Sequence, residues 1–447
     1  MPGRRQAGIE VTTRDIRLSQ AAGNGSGVGT STLTRLVFWE PCVSPHMSAF
    51  IGAVARALGP AVDVLCVAHE DVPQDRQALG WHSGQPAFPR DGDPAAAENK
   101  PSSGDPYRTI IAPSPQEVKQ LVEESGSHCL HVFSGIRWFS TIVHALAEVR
   151  RTNRPFAIKS EPRDNEGLKG AARFVQSRVT EGWLRRNALF VLAIGRHGPP
   201  WFRSVGYAAE RVFPFAYFLP SAWTISGSKG RKGTAGGTTD GGSPGVGDAI
   251  GLAPMRDASR KLEIVFIGRF IEQKGLRYLL PAIAANAGRM RLTLIGGGPL
   301  RDSLGVQARA LNLDVTFSGV LPIDEVQRKI GDFDVLALPS LTKDDGWGAV
   351  VSEALLAGTA VIASSCAGAS ILLDEPGNGR VVPPGDTGAI ARAILDLESS
   401  GALTPDAREA RSRWASTRLT AQAGAEYFMK IVGHRLDGGP RPTEFYR

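Results

Sequence analysis

The C-terminal half of this sequence alternates strand and helix patterns with a regularity that constrains the fold more than any other feature. Short runs rich in Val, Ile and Leu recur there, and each is followed by a turn and then by a helical pattern. Strands are predicted at 261–268, 291–296, 314–319, 334–340 and 359–364. Repeated strand–helix units build a doubly wound parallel sheet with helices on both faces.

A less regular alternation of the same kind occupies the N-terminal half. Its predicted strands are 33–39, 62–68, 108–112, 130–133, 156–160 and 189–194. Ser114 and Glu117 are spaced as in a capping box, with Pro115 between them, so a helix is expected to begin there. The predicted fold class is therefore α/β, with two doubly wound Rossmann-like domains facing a cleft.

Two polar, Gly-rich segments delimit the predicted domains. The expected regions are a disordered tail at 1–33, an N-terminal domain at 34–225, a flexible linker at 226–259, a C-terminal domain at 260–405 and C-terminal helices at 406–447. A Gly-rich linker between two such domains allows them to be joined without a shared sheet.

The charge balance favours anionic partners. Lys plus Arg number 51 against 44 for Asp plus Glu, which gives a net charge of +7. These cations are dispersed and no aromatic-rich RNA motif accompanies them, so nucleic acid is not an expected partner. The four cysteines form no C-x-x-C pair, which favours a reducing cytoplasm and no zinc site. No apolar run suits a membrane span or a secretory signal.

Candidate binding residues follow the predicted C-terminal strands, because ligands of doubly wound sheets bind beyond the carboxyl ends of the strands. The first loop contains Gly268, Arg269 and Lys274. A planar guanidinium and an ammonium suit a diphosphate, and two solvated surface cations are the alternative. The next loop contains Gly297 and Gly298, which allow close backbone approach either to a ligand or within a tight turn.

A third loop places two carboxylates around the start of a helix. Asp345 lies just before the predicted helix and Glu353 lies inside it, so about 12 Å and two helical turns separate them. Carboxylates at this separation can bind hydroxyl groups at opposite ends of an extended ligand, and the amides of residues 347–349 at the helix start can bind phosphate oxygens. A nucleotide sugar has this order of groups. A capping Asp beside a surface Glu is the alternative.

Five segments carry a family resemblance: GRFIEQKG, LIGGGPLRDSL, DVTFSGVL, FDVLALPSLTKDDGWGAVVSEALLAGTAVIAS and GRVVPPGD. In this order, over about 261–400, they resemble the donor-binding half of retaining "group 1" glycosyltransferases of the GT-B fold, which use nucleotide sugars. The N-terminal half is similar only in its alternation. The resemblance implies a GT-B architecture with an acceptor-binding N-terminal domain, onto which the helices of 406–447 would cross back.

The resemblance also implies residue roles. Arg269 and Lys274 would neutralise the donor diphosphate and the leaving nucleotide, so that neither a metal nor another cofactor is expected. Glu353 would bind the ribose hydroxyls and Asp345 the transferred sugar. His131 lies near the position of a family histidine and is the predicted catalytic group of the N-terminal domain. The predicted donor-contacting residues are Gly268, Gly297, Gly298, Gly346, Trp347, Gly348 and Glu353.

Two departures from the family pattern leave alternatives open. The first carboxylate is Asp345, where the family usually has Glu, so the side chain has a shorter reach. The N-terminal half lacks the Gly-Gly loop that relatives often carry after the first strand. Further candidate groups of this half are His46, Ser134–Gly135, Arg137, Lys159–Glu161, Arg196 and His197.

The predicted function is transfer of a hexose-type unit from a nucleoside diphosphate sugar to a saccharide or lipid-linked acceptor, with retention of configuration, in bacterial exopolysaccharide or cell-envelope glycan synthesis. Residues 168–186 combine five cations with apolar residues; they predict either a helix lying on an anionic membrane surface or a connecting helix packed on the sheet. A cytoplasmic protein, peripheral at the inner membrane face, is expected. The alternatives are an epimerase-like enzyme and a nucleotide-sugar-binding protein without catalysis.

Overall fold

The computed structural model describes residues 33–77, 106–220, 260–343 and 346–447. The predicted tail (apart from Leu33), the predicted linker at 226–259 and Asp345 lie outside the described residues.

The N-terminal domain is built on a seven-stranded parallel sheet. Its strands are β1 (Arg35–Cys42), β2 (Asp63–Glu70), β3 (Arg108–Ile111), β4 (Cys129–Ser134), β5 (Phe156–Ser160), β6 (Val191–Ile194) and β7 (Val212–Phe215). Its helices are α1 (Pro45–Leu58), α2 (Gln74–Gln77), α3 (Pro115–Glu123), α4 (Ser140–Thr152), α5 (Gly167–Thr180), α6 (Gly182–Asn187) and α7 (Gly198–Ser204). The strand order is β3-β2-β1-β4-β5-β6-β7.

The C-terminal domain repeats this design on a six-stranded parallel sheet. Its strands are β8 (Leu262–Ile267), β9 (Met290–Ile295), β10 (Val315–Gly319), β11 (Val335–Leu338), β12 (Ala360–Ser364) and β13 (Gly379–Val382). Its helices are α8 (Leu276–Ala284), α9 (Arg301–Ala310), α10 (Ile323–Ile330), α11 (Ala349–Leu356), α12 (Thr387–Ser399), α13 (Pro405–Ser416) and α14 (Ala421–Leu436). The strand order is β10-β9-β8-β11-β12-β13.

The order of each sheet reverses once, between β1 and β4 in the first and between β8 and β11 in the second. Ligands of doubly wound domains bind at this reversal, beyond the carboxyl ends of the strands. The central strand β1 is buried from Leu36 to Glu40, which agrees with a parallel strand covered by helices on both faces. The predicted α/β fold with two doubly wound domains is confirmed.

Two edge strands were missed by the sequence patterns. The strand β7 reads VFPF, and its Pro214 lowers the strand signal because proline cannot donate to the ladder. The structure resolves the conflict by placing β7 at the edge of its sheet, where it pairs only with β6 among the described strands. The strand β13 is four residues long and lies at an edge of the other sheet.

The last two helices pack on different domains, so the predicted crossover of 406–447 is corrected to begin later. The helix α13 packs on α11, and its buried Arg411 donates to carbonyl oxygens of Gly358 and Ala402 at 2.7 Å each. The helix α14 packs on α1 of the N-terminal domain. The crossing itself is fixed by Leu219, whose N–H donates to the Leu419 carbonyl at 2.8 Å.

The aromatic contacts of α14 give a test of this crossover. Phe428 is fully buried, and its ring centre lies 5.9 Å from those of Phe38 and Phe50. We expect Phe428→Ala to lower the free energy of unfolding by about 3–5 kcal/mol, because it leaves a cavity between α14 and the N-terminal domain. Urea unfolding measures the change. Lys430→Ala, an exposed site on the same helix, should shift it by less than about 0.5 kcal/mol.

Candidate functional site

The loop between β8 and α8 holds its two predicted cations at the carboxyl edge of the C-terminal sheet. Arg269 is exposed, and Lys274 is half-buried at the end of a short 3-10 helix. The fully buried Phe270 anchors the loop on the domain. Gly275 has φ +68°, and a Cβ there would lie 2.1 Å from the Pro339 carbonyl oxygen. Only glycine therefore lets this loop meet the end of β11.

The glycine-rich loop after β9 packs directly on the cation loop. Gly298 has φ +149°, and a Cβ there would lie 2.6 Å from the Phe270 carbonyl oxygen. The Phe270 N–H donates to the Gly297 carbonyl at 2.7 Å. A Cβ on Gly297 would meet only a methyl group of Val320, at 3.3 Å. Backbone packing thus explains Gly298, whereas Gly297 remains a predicted ligand contact.

The third predicted segment contributes backbone rather than side chains. Trp347 is 1% exposed, and its indole N–H donates to the Ser352 hydroxyl at 3.1 Å. Its side chain therefore belongs to the core, and the prediction of a ligand contact applies to its main chain alone. Gly346 and Gly348 have φ +65° and +80°, so this segment turns twice through the left-handed region before α11 begins. Asp345 lies outside the described residues.

Glu353 lies in the interior of α11 and is 9% exposed. Burial raises the pKa of its carboxyl group to about 7. Within the described ranges, no side chain or amide donates a hydrogen bond to this carboxylate. The group is therefore able to accept hydrogen bonds from a ligand's hydroxyl groups, which would favour its ionised form.

Two residues that follow β6 join the domains. The Arg196 side chain donates to the Ser370 hydroxyl at 2.8 Å. The Nε2 atom of His197 lies 2.7 Å from the Ser365 carbonyl oxygen. The sequence offered both residues as substrate-contacting candidates, but the structure uses their side chains to hold the two domains together.

Two carboxylates that follow β5 reach across to the segment before α11. The Oε1 atom of Glu161 accepts hydrogen bonds from the Trp347 N–H at 3.2 Å and from the Tyr217 hydroxyl at 3.1 Å. Glu166 forms an ion pair with Lys343 at 2.9 Å. The carboxyl edge of the C-terminal sheet thus faces the N-terminal domain, which contributes these two carboxylates to the contact.

A buried ion pair lies at the carboxyl edge of the N-terminal sheet. Lys159 Nζ donates to Glu40 Oε1 at 2.8 Å, and both side chains are 3% exposed. Ser134 donates to the other Glu40 oxygen at 2.7 Å. Lys159 and Ser134 were among the predicted candidates, whereas Glu40 was missed. A Glu at the carboxyl end of the apolar run LVFW was the available signal, because such a residue is buried only when it has a partner.

The predicted catalytic role of His131 is corrected. The ring is fully buried; Trp39 Nε1–H donates to its Nδ1 at 3.1 Å, and the Ser125 hydroxyl lies 3.1 Å from its Nε2. Burial, followed by the charges of Arg154 and Arg35, lowers its pKa to about 3. His131 occupies the middle of β4, three residues before the carboxyl end of the strand, so it belongs to the core.

Two other N-terminal candidates have local environments that account for them. Burial, with a smaller contribution from Arg76, lowers the pKa of His46 to about 4, so its ring is neutral near pH 7. Arg137 forms an ion pair with the buried Glu181 at 2.6 Å and donates to the Thr180 hydroxyl at 3.0 Å.

No group of three or more His, Cys, Asp or Glu residues that could hold a metal ion is found within the described ranges. A helix long and apolar enough to cross a membrane is likewise absent from the part of the chain that the structure describes.

Comparison with known proteins gives a family match for the C-terminal domain. Residues 261–400 match the family model described as "Glycosyl transferases group 1". This domain belongs to the group 1 glycosyltransferases. The chain is 34% identical over 136 residues to 2-deoxystreptamine glucosyltransferase of Streptomyces kanamyceticus. The matched stretch covers 29% of this chain and 35% of that relative. It is 30% identical over 158 residues to the amylovoran biosynthesis glycosyltransferase AmsK of Erwinia amylovora, covering 33% and 39%.

The chain thus spans little more than a third of the length of these curated relatives. Solved structures extend the likeness over almost the whole chain. HepE of Anabaena, crystallised with UDP, superimposes with a TM-score of 0.61 at 16% identity, over 89% of this chain and 99% of HepE. A glycosyltransferase from Rickettsia africae superimposes with a TM-score of 0.61 at 11% identity, over 91% of this chain and all of that one. The group 1 domain therefore lies within a GT-B fold.

The raised pKa of Glu353 predicts a pH-dependent loss of stability. The folded state holds a proton that the unfolded chain, with an ordinary pKa of 4.5, releases earlier. Stability is therefore lost as pH rises from about 4.5 to about 7, by up to about 3 kcal/mol, and is constant above that range. Glu353→Gln removes the ionisation, so we expect its stability relative to wild type to increase across this window in urea unfolding. Parallel profiles for the two proteins would contradict the assignment.

Proposed function

We propose that this protein transfers a hexose-type sugar from a nucleoside diphosphate sugar to a saccharide or lipid-linked acceptor, with retention of the anomeric configuration. The observation that carries the proposal is the meeting of three loops at one sheet edge: the cations Arg269 and Lys274, the backbone at Gly297, and the segment leading to Glu353. The names of the matched relatives support sugar transfer, and the UDP and UDP-glucose bound to HepE support a nucleotide-sugar donor.

The groups at this edge suit the charge changes of such a transfer. As the acceptor hydroxyl oxygen bonds to the anomeric carbon, the anomeric C–O bond to the diphosphate breaks. Negative charge grows on the leaving oxygen, which takes up the proton of the acceptor hydroxyl. Arg269 and Lys274 would stabilise this charge in place of a metal ion. Glu353 would accept hydrogen bonds from the ribose hydroxyls, and Asp345 would contact the transferred sugar. Retention, the hexose and these roles rest on the family resemblance.

Two other functions remain distinguishable by experiment. An epimerase-like enzyme would convert the donor without any acceptor, so product analysis with the donor alone separates it from a transferase. A binding protein without catalysis would be stabilised by nucleotides but would form no product. A thermal-shift screen with UDP, GDP and their sugars identifies the nucleotide, because a ligand that binds only the folded state raises the melting temperature.

The cation loop gives the direct test of the proposed transfer. We expect Lys274→Ala and Arg269→Ala each to lower kcat by at least about a hundredfold, because each removes charge stabilisation from the leaving diphosphate. Steady-state transfer to an acceptor saccharide measures the loss. Arg277→Ala is the control, since this exposed cation lies one turn away and pairs with Glu272. Unchanged turnover in both test variants would contradict the proposal.

We further propose that α5 rests on an anionic membrane surface, where a lipid-linked acceptor would be available. Leu168, Val175 and Val179 are 92%, 58% and 75% exposed, and their spacing of seven and four residues puts them on one helical stripe. The exposed Lys169 and Arg178 flank that stripe. An exposed apolar stripe beside cations suits the boundary between lipid headgroups and acyl chains. Such a site implies action at the inner membrane face.

Vesicle co-sedimentation tests the membrane proposal. Phosphatidylglycerol vesicles should bind the wild type, whereas phosphatidylcholine vesicles should bind it far less. We expect Val175→Glu to weaken binding to the anionic vesicles by about tenfold. The substitution replaces an apolar side chain that the lipid would bury with a negative charge that the anionic vesicle repels. Val306→Glu is the matched control, since Val306 is also 58% exposed but lies on α9 of the other domain. Equal binding of the two variants would count against α5 as the contact.

A further inference from the structure

One contact across the cleft pairs a carboxylate with a main-chain donor of the group 1 domain. Glu161 is half-buried, and its Oε1 atom lies 3.2 Å from the Trp347 nitrogen. A Cβ on Gly346 would lie 2.6 Å from the same oxygen, so the carboxylate approaches because this position is glycine. The N-terminal domain therefore places a hydrogen-bond acceptor, the Glu161 carboxylate, directly against the segment that precedes α11.

The orientation of this carboxylate is set from its own domain. The Tyr217 hydroxyl donates to Glu161 Oε1 at 3.1 Å. Burial, followed by the nearby charge of Glu161, raises the pKa of Tyr217 well above its ordinary value, so the phenol keeps the proton that it donates. Glu161 also follows β5 directly and lies two residues beyond Lys159. The ion pair between Lys159 and Glu40 holds this end of β5 in position.

A paired carboxylate and amide N–H have the hydrogen-bonding character that one hydroxyl group requires. A hydroxyl donates one hydrogen bond and accepts another, so it can donate to the Glu161 carboxylate and accept from the Trp347 N–H. A phosphate oxygen would be repelled by the carboxylate at this position. The pair therefore selects a neutral hydroxyl-bearing group over the anionic part of a nucleotide.

Glu161 is one of several contacts that join the domains across the cleft. Arg196 and His197 already bond to the C-terminal domain through Ser370 and Ser365. The exposed Glu166, five residues after Glu161, makes a separate ion pair with Lys343. Glu161 is distinguished from these contacts because it meets a main-chain donor beside the predicted sugar-binding segment.

We propose that Glu161 and the Trp347 N–H form a subsite for one hydroxyl group of the transferred sugar, in which the hydroxyl replaces the direct hydrogen bond between them. The inference rests on the proposed nucleotide-sugar transfer and deepens it, since it assigns part of the sugar recognition to the N-terminal domain. Binding of the donor sugar is then linked to the closeness of the two domains, because the subsite is complete only when both domains contribute to it.

The test compares affinities for nucleotides with and without a sugar. Isothermal titration uses UDP with UDP-glucose, and GDP with GDP-mannose. Glu161→Gln should leave the affinity for the free nucleotide within about twofold and weaken that for the nucleotide sugar about tenfold, since a hydrogen bond to a charged group is lost. Glu166→Gln is the matched control, because it removes a cross-cleft carboxylate from the same loop and should leave the ratio of the two affinities unchanged.

A series of monodeoxy donors identifies the hydroxyl group. For one member of the series, wild type and Glu161→Ala should bind equally, because the partner hydroxyl is already missing. Equal loss of nucleotide and nucleotide-sugar affinity in Glu161→Gln, or the same ratio in Glu161→Gln and Glu166→Gln, would overturn the inference and leave the proposed function standing. No binding of any of these nucleotides to the wild type would overturn the proposed function, and the subsite with it.

Discussion

The candidate site depends on main-chain contacts between loops at the carboxyl edge of the C-terminal sheet. Gly275 lies against the carbonyl that follows β11, and Gly298 lies against the carbonyl of Phe270. A Cβ on Gly296 would lie 2.0 Å from the Gly268 carbonyl oxygen. Side chains at these points would separate the loops. The glycines therefore bring the cations, the glycine-rich turn and the start of α11 together at this sheet edge. The N-terminal domain contacts the same edge through Glu161.

The C-terminal domain was predictable because its local and long-range requirements agree. Its apolar runs are strands, Gly275, Gly297 and Gly298 lie in the loops between strands and helices, and Glu353 lies on the predicted helix. Parallel sheets bring the loops after successive strands to one edge, so spacing alone placed the candidate residues together. What the sequence could not give was the reason for each glycine. Gly298 is required by the backbone of a neighbouring loop, a contact that no local pattern contains.

The N-terminal domain was less predictable because its important contacts join distant positions. The ion pair between Glu40 and Lys159 links residues 119 apart, and neither segment shows by itself which partner its charged residue meets. His131 illustrates the problem of register, since a shift of a few residues along a strand separates the cleft from the core. Residues 159–161 were correctly noted as a strand end, but only the structure shows that Glu161 meets the opposite domain.

The return of the chain at Leu219 and Leu419 has a mechanical consequence. The chain passes between the domains twice, once between residues 220 and 260 and once at 417–420, and the second passage is secured by the bond from Ala421 N–H to the Leu219 carbonyl. The two hydrogen bonds between Leu219 and the second passage tie the start of α14 to the N-terminal domain, so α14 cannot leave that domain without breaking them. A single cut between residues 220 and 260 would divide the chain into two polypeptides, which the packing of α14 on α1 and the bonds at Leu219 would still hold together.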